Sequence, residues 1–265
     1  IFTNFNDPLN LFYGKDFIFN NEKDVNILMR TIRVQKEQCE IECIKRACDI
    51  TKQSFENLYP LLKENMYEYQ IEGILLGNFV QYSSRCPSFT TIVASGKNAC
   101  TLHYNKNISQ CKKNDLVLID TGTEFCNYCS DVTRVFPIDK KFSIRQKRIY
   151  QSVLNISLFA KSIVKVGMTF EELQKATVEK VKEELSKLGL LNGNSLHGDE
   201  YKKFFMHGVS HSLGLDVHDI CDRKKPFCQN MVITIEPGIY IQDENIGIRL
   251  EDDVVVHENC CEVLT

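Results

Sequence analysis

The nine residues N-D-L-V-L-I-D-T-G at positions 114–122 have a counterpart, N-M-V-I-T-I-E-P-G, at positions 230–238. The two align without a gap. In each, an apolar run ends in a carboxylate, Asp120 or Glu236, two residues before a glycine. A run apolar on both strand faces predicts a strand covered on both sides. Outward from this core, each copy has a second β-type run with its own carboxylate, Asp131 in the first and Glu251 in the second. Two helices precede each copy. Ile41, Ile44, Cys48, Thr51, Phe55 and Leu58 step by three and four residues, predicting a helix from about residue 35 that ends before Pro60. Ile71, Ile74, Leu75 and Phe79 predict another over 67–81. In the second half, Ser143 with Gln146 and Thr169 with Glu172 are capping boxes opening helices that stop at Gly167 and Gly189. A polar loop with Asn192, Gly193 and Asn194 follows. Strands are predicted over 89–94, 116–120, 130–136, 232–236 and 248–256. Two helices followed by strands, twice over, is a duplicated unit of the α+β class.

A stretch just before the second copy, H-G-V-S-H-S-L-G-L-D-V-H-D at 207–219, holds three of the chain's six histidines. Its apolar residues alternate, so it too is predicted as a strand. Val209, His211 and Leu213 would share one face and His218 the other, unless a glycine bends the chain. His207 and His211 have the i, i+4 spacing of a zincin helix, but that motif needs glutamate after the first histidine and this chain has Gly208.

Asp120 and Glu236 at the ends of fully covered strands are costly, because desolvating an unpaired ion costs several kcal/mol. Each needs a cation, a metal or a proton. Local ion pairs are one solution: Arg249 lies two residues from Glu251 on the same strand face, whereas Arg134 lies on the face opposite Asp131. A shared metal centre accounts better for four carboxylates at matching positions beside a histidine cluster. An oxygen-rich, thiolate-free set suits Mn²⁺, with Zn²⁺, Co²⁺ or Fe²⁺ as alternatives. Four carboxylates carry more charge than one divalent ion offsets, which points to two.

Composition excludes several other classes. The 265 residues are 25% charged and 43% hydrophobic with a net charge of −3, an ordinary globular balance, and no basic run marks a nucleic-acid surface. No apolar run approaches the ~18 residues of a membrane span. Twelve cysteines include a single C-x-x-C, Cys126 and Cys129. Most of them read as small buried thiols of a reducing compartment rather than a disulfide scaffold or zinc site.

Taken together, T-I-V-A-S-G (91–96), L-H-Y (102–104), L-V-L-I-D-T-G (116–122), S-D-V-T-R-V-F-P (130–137), the histidine stretch, I-E-P-G-I-Y (235–240) and G-I-R-L-E-D-D (247–253) resemble one family. They are similar, in order and over about 30–264, to the catalytic domain of the aminopeptidase P (Xaa-Pro aminopeptidase) family. That family belongs to the pita-bread metallopeptidases. The resemblance implies a pita-bread fold, with duplicated ααβ units around a curved antiparallel sheet. It implies that Asp120, Asp131, His211, Glu236 and Glu251 bind two divalent metals, with Asp131 and Glu251 bridging. It also implies that Glu236 serves as the proton-transfer group. His207, His218 and His103 are implied to face substrate, with Tyr240 and Arg249 near the site. The implied activity is hydrolysis between an N-terminal residue and proline, on peptides with proline second. Prolidase and a non-catalytic binding module are the alternatives. Residues 35–265 are expected to form the catalytic domain and 1–34 the remnant of a preceding domain or linker. A homo-oligomer and a cytoplasmic or mitochondrial location are compatible with the family; neither nucleic acid nor membrane is an expected partner.

Overall fold

The computed structural model describes residues 2–3, 23–193 and 198–265. Residues 1 and 4–22 of the expected N-terminal segment, and Asn194 of the expected polar loop, lie outside the described residues. A short parallel pair, β1 (Phe2–Thr3) with β2 (Lys23–Asp24), leads into helix α1 (Val25–Val34). The sequence predicts no element there. The helix is amphipathic, but its apolar Ile27 and Ile32 are exposed rather than packed into the core.

Helices α2 (Gln38–Leu58) and α3 (Glu68–Gln81) follow, then strands β3 (Ile92–Ser95) and β4 (Leu116–Thr121). A small hairpin, β5 (Glu124–Phe125) and β6 (Tyr128–Cys129), precedes β7 (Val132–Pro137). The second half repeats the order with α4 (Ile144–Ile163) and α5 (Phe170–Lys187), then β8 (Val232–Ile235), β9 (Gly238–Ile241), β10 (Ile246–Arg249), β11 (Asp252–Val256) and β12 (Cys261–Val263). Helix α2 starts three residues later than expected because Glu37 is its cap, its backbone N–H donating to Glu40 at 2.7 Å. The boxes at Ser143 and Thr169 form as predicted. What the sequence shows as one run over 248–256 is two strands, because residues 250 and 251 step from pairing with β9 to pairing with β8.

Every pairing from β3 onward is antiparallel, hydrogen-bonded in sections. β4 lies between β3 and β7, β11 between β8 and β12, and β9 pairs with β10. Both faces of β4 are covered. Val117 and Ile119 pack with Ile50, Leu58 and Leu75 of the first helix pair, while Leu116 and Leu118 join Ile149, Val153, Leu173 and Val181 of the second pair. Helix α2 spans both sheets, since its N-terminal Ile41 and Ile44 meet Val232 and Val255 across the second. The duplication extends to backbone geometry. Asn114 and Asn230, which open the two matching strands, are both left-handed, at φ 65° and 63°. In the first copy Gly122 is obligatory, because a Cβ there would lie 1.7 Å from the carbonyl oxygen of Ser130.

The histidine stretch is not a strand. It runs beside β8, with Leu213 N–H donating to Val232 O and Thr234 N–H to His211 O, but forms only one isolated bridge, Ser212 to Ile233. The ladder fails because His211 N–H donates to the Thr234 hydroxyl at 3.1 Å and residues 214–218 are bends. The thiol expectation also needs correction. All twelve cysteines are free, but only Cys48, Cys111 and Cys129 are buried, while Cys39, Cys86, Cys126 and Cys260 sit on exposed helix and turn positions. No described helix is long and apolar enough to cross a membrane.

Candidate active site

Where the two sheets approach each other, the four carboxylates converge. Asp120, next to last in β4, stands opposite Thr133 of β7. Asp131 immediately precedes β7, Glu236 follows β8, and Glu251 sits at the break between β10 and β11. Arg249, on β10, reaches across the repeats. Its Nη2 is 2.6 Å from Asp120 Oδ2, while its Nε is 3.9 Å from Glu251 and donates to Thr133 Oγ1 at 3.1 Å. The local Arg249–Glu251 pair expected from spacing is therefore secondary to a long-range pair with Asp120. Thr133 in turn donates to Glu251 Oε2 at 2.6 Å. Arg134 points away as strand parity predicts, holding Asp252 and the carbonyl oxygen of Glu251.

His211 faces this group. Its Nδ1 lies 3.1 Å from the carbonyl oxygen of Ser212, an acceptor, so Nδ1 carries the proton and Nε2 presents a lone pair. That Nε2 is 3.3 Å from Asp131 and 3.7 Å from Glu236. His207 is held at both nitrogens, Nδ1 by the carbonyl of Gly208 at 2.8 Å and Nε2 by the Tyr240 hydroxyl at 2.9 Å. Tyr240 also accepts from Arg249 Nη1 at 3.0 Å. A chain Arg249, Tyr240, His207 thus runs along one wall. His218 packs edge-on against His211 with ring centroids 4.3 Å apart, and His103 faces the same space. The space is a cavity of about 600 Å³ whose lining includes all four carboxylates and all four of these histidines.

The electrostatics of this arrangement are unfavourable for the chain by itself. Burial, reinforced by the neighbouring carboxylates, pushes Asp131 and Glu251 well above the usual carboxylate range. Burial likewise raises Glu236 to about 8, and depresses His207 and His211 to about 4. The four carboxylates share the cavity wall with Arg249 and Arg223, of which Arg249 pairs with Asp120, and Asp120 Oδ1 is buried without a hydrogen-bond partner among the described residues. Ligand atoms of Asp131, His211 and Glu251 lie within 4.8 Å of one another. An orphaned carboxylate oxygen, an imidazole lone pair aimed at carboxylates and unrelieved like charge together fit a divalent cation.

Three contributors escape sequence inspection. Thr133 ties Glu251 to Arg249. Asp253, pushed by burial to about 8, accepts from the backbone N–H of Asp131 at 2.9 Å and so orients that residue. Arg223 lines the cavity and bonds the Ser210 carbonyl. Only the S-D-V-T-R strand pattern gave any hint of Thr133, which shares a face with Asp131.

Residues 42–258 match metallopeptidase family M24. The Xaa-Pro aminopeptidase of Escherichia coli K12 is 38% identical over 253 residues, covering 90% of this chain and 57% of the relative. Intermediate cleaving peptidase 55 of Schizosaccharomyces pombe is 31% identical over 271 residues, covering 95% of this chain and 53% of its own length. Among solved structures, the Pseudomonas aeruginosa aminopeptidase PepP superposes with a TM-score of 0.90 at 35% identity, over 95% of this chain and 61% of that one. An E. coli aminopeptidase P variant in complex with substrate gives 0.90 at 34% identity, over 97% and 62%. The chain thus spans between half and two thirds of the length of these relatives.

Proposed function

Because the chain belongs to metallopeptidase family M24, we propose that it is an aminopeptidase using two divalent metal ions, Mn²⁺ in the first instance, to cleave the bond between an N-terminal residue and proline. The observation that carries this reading is the convergence of Asp131, His211 and Glu251 on the wall of a cavity that also presents His103, His207 and His218. Asp120, Asp131, His211, Glu236 and Glu251 would hold the ions. Bound there, the ions supply Lewis-acid activation of water and of the scissile carbonyl.

The chain's own residues do the rest. Glu236 is the least buried of the four carboxylates, with 18% of its side chain exposed to the cavity. It accepts the proton of the attacking water and returns it to the leaving nitrogen, which in an Xaa-Pro bond has no N–H of its own. Of the cavity histidines, His207 is bonded to Tyr240 and His211 faces the carboxylates, which leaves His218 and His103 to serve as donors to the proline carbonyl and the developing oxyanion. His207, held by Tyr240 and Gly208, is a fixed part of the cavity wall.

The experiment offers Xaa-Pro dipeptides, Xaa-Pro-Xaa tripeptides and Met-Ala-Xaa peptides with Mn²⁺ and again with chelator. Cleavage of the tripeptide, abolished by chelator, is expected. Cleavage of the dipeptide alone would assign a prolidase instead, and cleavage of none would leave a binding module.

A further inference from the structure

Backbone bonds to β8 hold the histidine stretch as far as Leu213, and the loop beyond it, at 214–219, is clamped from two sides. On one side, Cys129 of β6 donates its backbone N–H to Gly214 O at 2.8 Å. On the other side stands a buried ion pair. Lys36, in the corner between α1 and α2, places Nζ 3.0 Å from Asp219 Oδ2, both side chains being 2% exposed or less. Arg33, from the last turn of α1, pairs with Asp219 and, at 2.7 Å, with Asp216. The backbone of Lys36 is fixed as well, its N–H donating to Asn230 O at 3.0 Å beside the left-handed turn that opens β8.

Asp219 connects this clamp to the chemistry. Its backbone N–H donates to Ser212 O at 2.8 Å, the same carbonyl that lies 3.1 Å from His211 Nδ1. Asp219 also directly follows His218. The sequence has accommodated the pair: a Cβ at Gly214 would meet the Asp219 carboxylate at 2.3 Å and the Lys36 side chain at 3.0 Å. A lysine this buried loses hydration, which lowers its pKa, and the charge and hydrogen bond of Asp219 are the main compensation, with a smaller one from Glu40.

We infer that Lys36, assisted by Arg33, is a positioning residue for the histidine loop, fixing through Asp219 where His211 and His218 stand in the cavity. Helix α1 is thereby coupled to the site from outside it. The inference rests on the peptidase reading above. Removing Lys36 alone leaves the buried Asp219 carboxylate to Arg33 and risks the fold, so the test pairs Lys36→Met with Asp219→Asn and sets beside it Lys36→Arg, which keeps two cations on Asp219. On an Xaa-Pro-Xaa tripeptide with saturating Mn²⁺, the double variant is expected to bind metal about tenfold more weakly, because His211 loses its support, and to lose kcat by about ten- to a hundredfold, the cost of a misplaced catalytic group. KM should change little, and Lys36→Arg should recover most of the kcat. A double variant with wild-type kcat per folded molecule, or one whose only change is a lower melting temperature, overturns the inference. If wild type itself cleaves no Xaa-Pro peptide, the peptidase reading fails instead.

Discussion

Thr133 does two jobs with one hydroxyl, donating to Glu251 and accepting from Arg249, and it is buried with both. Thr133→Val keeps the shape and removes both bonds. The expected result is a loss of about 1–3 kcal/mol in denaturant unfolding, because two buried polar groups lose a partner. Metal affinity should also fall about 10- to 100-fold, because Glu251 loses its orienting contact. Unchanged affinity would remove Thr133 from the site. At this scale the sequence shows residue types and strand parity but not partners. The four carboxylates were visible because each follows or starts an apolar run where a charge is out of place. The Arg249–Asp120 pair joins residues far apart in the chain, so spacing alone suggested the nearer Glu251. The choice of His211 over its neighbours came from family resemblance; the bond from Nδ1 to Ser212 that frees Nε2 is visible only in three dimensions.

Elements were legible where their ends carry local chemistry. The boxes at Ser143 and Thr169 marked helix starts correctly, since a cap is made by residues three apart. The histidine stretch misled for the opposite reason: it has the alternation of a strand, but its ladder is diverted by the Thr234 side chain and its loop is held by distant charges. The matching asparagines allow a direct check of the duplication. Both Asn114 and Asn230 occupy left-handed backbone, where a β-branched residue is strained. Asn230→Val is expected to cost about 1–2 kcal/mol and Asn230→Gly close to nothing, with the same pattern at Asn114, read from urea unfolding. Equal tolerance of valine and glycine at either position would deny that the turn is a shared structural requirement.

For the whole molecule, the site sets how stability depends on pH. Glu236 in the folded, metal-free chain is raised to about 8, and Asp131 and Glu251 are shifted the same way. The folded state then holds protons that the unfolded chain releases, so stability falls as pH rises from the ordinary glutamate value toward 8. His207 and His211, depressed to about 4, act in the opposite sense below the ordinary histidine value of 6.5, so chelator-treated protein should melt lower at about pH 8 than at about pH 6.5, and added Mn²⁺ should raise the melting temperature most at the higher pH, where the carboxylates are free to ionise. A metal-free melting temperature that climbs over that interval would contradict the cluster's electrostatics. The architecture was legible because helix periodicity and the repeated strand are written twice in one chain. What joins the halves, the cross-repeat pair of Arg249 with Asp120 and the clamp of Lys36 on Asp219, was not. All of it converges on a cavity built for cations. The most direct test is the metal content of protein loaded with Mn²⁺ and desalted, measured by inductively coupled plasma mass spectrometry beside Asp131→Asn. The account predicts about two equivalents per chain in the wild type and a clear loss in the variant; no bound metal in the wild type would contradict it.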